Sequence, residues 1–572
     1  MGICFSSMFA QVGIGTTNPE GALDITSTNM GLVIPRVPSL EVLTDGNGNP
    51  PVNGTVIYDE FRNKTCFKIN GKWACTGFDS TGSIVTEEEI PIETNNCTYI
   101  KASTPGTSDT FGNLVKMSDD GNYLVVASPD EDSNTTGING DETNNSAGSS
   151  GAVYVFVKSG ATWSQQAYIK ASNTNSNDYF GISISITSDG SRIAVGAYGE
   201  SSNATGINGD ETNNSASFSG AVYVFSRSGT VWSQEAYIKA SNTDSFDYFG
   251  NSVSINSDGT RLVSTAYTER SNATGVNGDE TNNALSGAGA AYVFTRSGTT
   301  WSQEAYLKAS NTESGDYFGI HTSISGDGTR IVVGAHNEDS NATGVNGNQA
   351  DNSSTRSGAA YIFSRSGSVW IQEAYIKASN TGGSDYFGQE VSLDNDGNTL
   401  AISASSEDSD ATGIDGDETN NLAASSGAVY VFTRTGTSWS QQSYMKASNT
   451  DSQDFFGRSI QLSSSGDYLL VGATGEDGYD SGFDGDETNN DVSGSGAIYL
   501  FNRSGSVWSQ EHYIKSCNVN INDSFGSACS IDGTGSSIAV GAPGEDSNAA
   551  GINGNMTDNS LSNSGAVYVL QN

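Results

Sequence analysis

The sequence predicts an all-β protein: a seven-bladed β-propeller of four-stranded antiparallel blades, closed by pairing of its N- and C-terminal strands, with a small β module in front of it. Three observations carry this prediction. Gly numbers 69 and Pro only 9, and the 35% hydrophobic residues are rich in Val, Ile, Tyr and Phe, the chemistry of strands and turns rather than helices. Phe-Gly recurs at Phe111, Phe180, Phe249, Phe318, Phe387, Phe456 and Phe525, a period of 69 residues with no insertion. The repeat is also out of phase with its ends: Tyr99 to Ser103 is a surplus last strand before the first Phe-Gly, and the chain stops at GAVYVLQN with that strand missing. An open solenoid needs no such permutation, whereas a ring closes by pairing Tyr99 to Ser103 with Ala566 to Leu570.

Taken in chain order, residues 1–11 (MGICFSSMFAQ) are apolar and end in small residues, the pattern of a secretory-signal remnant, with cleavage expected after Ala10. Residues 12–78 carry no repeat and read as a separate β module; residues 79–96, with TEEEIPIETNN, read as an acidic linker. Residues 97–572 are the ring. Each unit contains an alternating strand after Phe-Gly (FGISISI), a tight turn (SDG), a short buried run (RIAVGA), a long loop, and a hairpin of GAVYVF and WSQEAYIKAS across RSGT. A sheet of this size cannot hide both faces alone, so successive sheets stack and the ring removes the end faces. Cys66 and Cys75 bracket one hairpin and Cys517 and Cys529 lie twelve apart, so an oxidising compartment allows two local disulfides with Cys97 left over; sequence does not fix the connectivity.

The pattern FG, SVSI, DG, LAVGA, GAVYVF across residues 97–572 resembles the FG-GAP repeat, the blade unit of integrin α-subunit propellers, in a bacterial secreted form. The resemblance implies an extracellular propeller used in adhesion or ligand binding, often with calcium. In that family the calcium loop, of DxDxDG type, joins the first two strands; here that connection is a short turn such as SDDGNY or SSSGDY, so the family's site does not carry over. The segment VGIGTTNPEGALDITSTNMGLVIPRV with GTVIYDEFRNKTCFKINGKWACTG resembles the N-terminal part of bacterial surface and tail-fibre-like proteins, which implies attachment or homo-oligomerisation through it.

Acidic residues concentrate instead between the second and third strands, in loops beginning at Glu131, Glu200, Glu269, Glu338, Glu407, Glu476 and Glu545. Oxygens on alternate residues before a Gly are how a chain wraps a hard cation. The candidate calcium ligands are Asp132, Asn134, Asn139 and Asp141 in the first copy; Asp339 and Asn341 in the fourth; Asp408, Asp410, Asp415 and Asp417 in the fifth; Asp477, Asp484 and Asp486 in the sixth; and Asp546 and Asn548 in the seventh. The second and third copies break the pattern with Ser201 and Arg270. The alternative is that these side chains hold a Gly-rich loop by bonding to its own backbone.

A second acidic ring stands two residues before each Phe: Asp109, Asp178, Asp247, Asp316, Asp385, Asp454 and Asp523. It shares a face with the Glu loops and either binds ions and basic partners or caps the turn into Phe-Gly. Lysines of the last strand, such as Lys170 and Lys239, are expected to pair with nearby carboxylates, a pair that contributes about 0 to 1 kcal/mol if it is exposed. Trp163, Trp232, Trp301, Trp370, Trp439 and Trp508 invite a sugar-stacking role, but their regular place favours packing against a neighbouring blade.

Charge narrows the function. Lys plus Arg total 25 against 65 Asp plus Glu, a net −40, which repels nucleic acid and anionic lipid. No apolar run is long enough to span a bilayer as a helix. His321, His336 and His512 show no metal spacing, and there is no phosphate loop or nucleophile elbow, so enzymatic chemistry finds little support beyond a paired-carboxylate glycosidase. The expectation is a secreted or cell-surface, non-catalytic module for adhesion to an extracellular protein or glycan, with a structural fibre subunit as the alternative.

Overall fold

The structure, a computed structural model, describes residues 97–572 with their side chains and, ahead of them, seven strands between Val12 and Glu88 by their backbone. Two compact units divide the chain, Met1–Asn95 and Asn96–Asn572. In the first, Val12–Ile14 pairs in parallel with Leu23–Ile25. A five-stranded sheet follows in the order Arg36–Val37, Val56–Asp59, Lys64–Ile69, Lys72–Phe78, Ile84–Glu88. The stretch expected as a linker therefore contributes a strand, Ile84–Glu88, paired with Lys72–Phe78. Cys66 stands opposite Cys75 in the register, but their side chains, like the expected signal remnant 1–11, lie outside the described residues.

The second unit is the seven-bladed ring. Its second blade is representative: Ser183–Ile186, Arg192–Ala197, Ala221–Ser228 and Val231–Ile238, antiparallel in sequence order. Burial follows strand position. The second and third strands are apolar on both faces because sheets stack on each side of them, while the fourth begins exposed and ends buried. The core lies between blades: Val125, Val153 and Ala167 of one blade pack against Phe180, Ile193, Tyr223 and Trp232 of the next.

Phe-Gly is the inter-blade joint. Phe180 is fully buried, meets Tyr223 edge to face at 5.3 Å, and donates its N–H to Ser150 O of the preceding blade at 3.0 Å. The close approach needs glycine on the other side. A Cβ on Gly151, which has φ of +80°, would lie 2.1 Å from Phe180 O.

The ring closes as expected. Cys97–Ile100 is the fourth strand of the seventh blade, antiparallel to Ala566–Gln571 with Tyr99 opposite Tyr568. The cysteines pair differently from the local expectation. Cys97 is bonded to Cys517, 420 residues away in sequence, and Cys529 is a free buried thiol. Closure brings the closing strand next to the connection out of blade six, a neighbour that no sequence spacing reveals. Blade six also departs from four strands, because Gly482–Phe483 adds a fifth beside Val507–Lys515.

Candidate functional site

The connections between blades and the long loops between second and third strands emerge on one face of the ring. Each loop starts with the Glu of a buried ion pair. Glu131 Oε2 takes Lys170 Nζ at 2.7 Å, Ser150 Oγ takes the same ammonium at 2.7 Å, and Tyr168 OH donates to Glu131 Oε1 at 2.8 Å. The same pairing recurs as Lys239–Glu200, Lys308–Glu269, Lys377–Glu338, Lys446–Glu407, Lys515–Glu476 and, across the closure, Lys101–Glu545. These lysines are buried, because the loop folds over the end of the last strand, so the small worth of an exposed pair does not apply to them. Neighbouring blades share the network: Asn173 Nδ2 donates to Glu200 Oε1 at 3.0 Å and Asn173 Oδ1 accepts from Tyr223 OH.

The expected calcium ligands point in different directions. Asp132 Oδ1 accepts the N–H of Ser149 at 2.8 Å, bridging the two ends of the loop. Asp339, Asp408, Asp477 and Asp546 do the same with Arg356, Ser425, Gly494 and Asn563 at 2.7 Å. Asn139, Asp415 and Asp484, all with φ near +54°, accept the N–H of Tyr168, Tyr444 and Tyr513. Asp141, Asp417 and Asp486 accept the N–H and hydroxyl of the Thr two residues on, which hold these carboxyls below the usual range. Asn134, Asn341, Asp410 and Asn548 are exposed at the loop tips.

Among the described residues no three carboxylate, imidazole or thiol groups converge as a metal cage. Asp484 additionally meets His512 Nδ1 at 2.8 Å.

The second acidic ring caps turns. Asp178 Oδ2 accepts the N–H of Asn175 at 2.7 Å, and Asp109, Asp247, Asp316, Asp385 and Asp454 repeat the contact three residues back. Burial pushes each of the seven carboxyls up to about 7. The tryptophans are inter-blade contacts: Trp232 Nε1 donates to Gln166 Oε1 at 2.9 Å and Trp301 Nε1 to Glu235 Oε1 at 2.8 Å, and Glu235 also pairs with Arg192.

The axial channel holds what the sequence reading missed. Its innermost strands form a ladder in which a seryl oxygen of one blade accepts a backbone N–H of the next, as Ser185 from Ile255, Ser254 from Ile324 and Ser323 from Leu393, each at 3.1 Å. Two copies replace that serine, with Lys116 and Gln461, which bond each other at 2.8 Å. His321 Nε2 lies 3.2 Å from Glu390 Oε2. These four line a cavity of about 190 Å³. The signal was available: comparing the first strands position by position across the copies isolates them.

A model of the FG-GAP repeat matches residues 163–225, 232–294, 301–363, 370–432 and 439–501, which together take in more than half of the chain. Each match runs from the Trp of one blade to the third strand of the next, the same permutation that closes the ring. Residues 13–85 match a phage tail like trimerisation region. No curated protein matches the chain.

Solved structures that show likeness include the following three. The β-propeller domain of Cps50 (Swd1) from Myceliophteria thermophila is 7% identical, with TM-score 0.44, over 83% of this chain and 99% of that one. A putative 6-phosphogluconolactonase from Bacteroides uniformis is 12% identical, with TM-score 0.40, over 78% and 92%. A periplasmic gluconolactonase from Pseudomonas aeruginosa is 12% identical, with TM-score 0.39, over 78% and 93%.

Proposed function

The chain belongs to the FG-GAP repeat family, and from that premise we propose that it is an extracellular, non-catalytic binding head displayed in several copies by its N-terminal module. The observation that carries this reading is the presence in one chain of a trimerisation-type region and a sealed propeller. Several rigid heads on one base turn a weak contact of each into strong attachment of the whole, because later contacts form at high effective concentration. A packing role for the channel supports the non-catalytic part: Lys116 is bonded to Gln461 and His321 to Glu390. The loops serve as scaffold in this reading, since their oxygens hold backbone amides.

The mass of the full chain in solution, by light scattering, tests the reading. Three chains per particle is the expected result, and a monomer overturns display by the module. A fibre subunit is the second reading, favoured by the same tail-like region; a ladder of assemblies growing with concentration would select it.

A further inference from the structure

One sector of the loop face breaks the repeat in a concerted way. Phe246 stands where the second and seventh copies have Asn177 and Asn522 and the fourth has Gly315. It is 46% exposed with φ of +66°, and it stacks on Phe218, itself at φ of +52°, with ring centroids 5.9 Å apart and planes 16° apart. A bulky side chain in the left-handed region is disfavoured where most other copies place Ser, Asn or Gly, and neither ring belongs to the inter-blade core.

Beside the pair runs a file of half-exposed rings. Tyr248 lies 5.8 Å from Phe218, and Tyr198, Tyr248, Tyr267 and Tyr317 follow one another at 5.5 Å. His336 continues it at 6.0 Å and Tyr386 at 5.5 Å more, at the edge of a depression of about 400 Å³ that also holds Phe455, Arg458 and Gln389. In the first and last copies the matching positions are Thr110 with Pro129 and Ser524 with Pro543, so the file covers one side of the ring only.

Charge changes along the same sector. The loop Asp gives way to Ser201 and Arg270, and Arg356 and Arg458 stand where no other copy has a cation. Arg270 reaches Ser245 O beside Phe246, and Arg356 Nη1 lies 3.4 Å from Tyr386 OH.

We propose that this aromatic file is the stacking platform for a polysaccharide chain, with the arginines and the amide and hydroxyl groups of the depression binding its hydroxyl or carboxylate groups. A sugar ring has an apolar C–H face and a polar rim. Tyrosines in single file, bordered by guanidinium, Gln389 and Ser405, complement both along an extended polymer. A compact protein hot spot would call for a cluster rather than a file. A basic peptide would meet three arginines, Arg270, Arg356 and Arg458, in the sector where two loops have lost their Asp to Ser201 and Arg270. The inference rests on the reading of the propeller as a binding head and names its ligand class.

Affinity electrophoresis of the full chain through gels containing neutral glucan, mannan or xylan, or the uronates pectin or alginate, tests it, followed by titration calorimetry with a hexasaccharide of the retained polymer. The neutral and uronate gels separate the two glycan types. Variants borrow residues that the fold already carries: Tyr267→Ser, as at Ser405, and Phe246→Asn, as at Asn177. Retention by at least one polymer is expected, weakened about three- to tenfold by Tyr267→Ser and again by Phe246→Asn. The melting temperature of Phe246→Asn should stay unchanged or rise, which a merely structural role would not allow. No retention by any of these polymers, or retention that both variants leave intact, overturns the platform. Binding of an oligo-arginine probe in place of the saccharides also overturns it, while leaving the binding head standing. Retention by a chain that proves monomeric would keep the platform and discard trimeric display.

Discussion

Lys239 lies fully buried, with Glu200 Oε2 at 2.7 Å and Ser219 Oγ at 2.8 Å. Removing one partner of such a pair strands the other charge without water. Lys239→Met should therefore lose about 3–5 kcal/mol in urea unfolding, and a Lys239→Met/Glu200→Leu double variant distinctly less. The sequence showed a Lys and a Glu in every copy but left open whether the pair is exposed, where it would contribute little. Its burial depends on a loop folding over a strand that follows it some forty residues later.

Asp178 makes a pH prediction. Burial pushes its carboxyl from 3.8 up to about 7, offset in part by the Asn175 N–H, with the Glu200 charge adding to the rise. The folded state thus binds a proton that the unfolded state has released. The contribution to stability is complete below the unfolded value and is lost as pH rises through about 7. The melting temperature should fall between about pH 4 and about pH 7, and Asp178→Asn, which keeps an oxygen for Asn175, should reduce that fall.

At the scale of elements, the strands were legible and the cross-links were not. Alternation in SISI and the apolar run RIAVGA mark first and second strands because each face of a pleated sheet meets a different neighbour. Spacing suggested local bonding of Cys517 to Cys529, whereas the structure joins Cys517 to Cys97 on the closing strand. Cys97→Ser should cost about 2–5 kcal/mol, and the loss should disappear in a comparison made under reducing conditions. Loops show the same contrast. Their Asp and Asn residues stood out in the sequence as metal candidates, but whether alternate oxygens converge depends on backbone dihedrals. The positive φ at Asn139 and Asp415 aims those side chains at the adjoining strand. The extra strand of blade six, at Gly482–Phe483, gave no signal, because single bridges such as Ile207 to Ile238 occupy the same place elsewhere.

For the molecule as a whole, a ring whose core lies between blades is only as stable as its seam. That seam combines four paired residues, the Lys101–Glu545 ion pair, and the Cys97–Cys517 bond. Since the loop oxygens hold amides, melts of the full chain in excess calcium and in excess chelator should coincide; a clear rise with calcium would show that the loops rearrange around the ion. The sequence by itself determined the strand order, the number of blades and the place of closure, because a strict period and its offset at the ends leave one way to bury every sheet face. Tertiary structure alone decided which charges are buried, which cysteines meet, and that the aromatic departures of several blades fall into one file. Those are relations between copies, and only stacking the blades around an axis brings residues 69 positions apart within reach of each other.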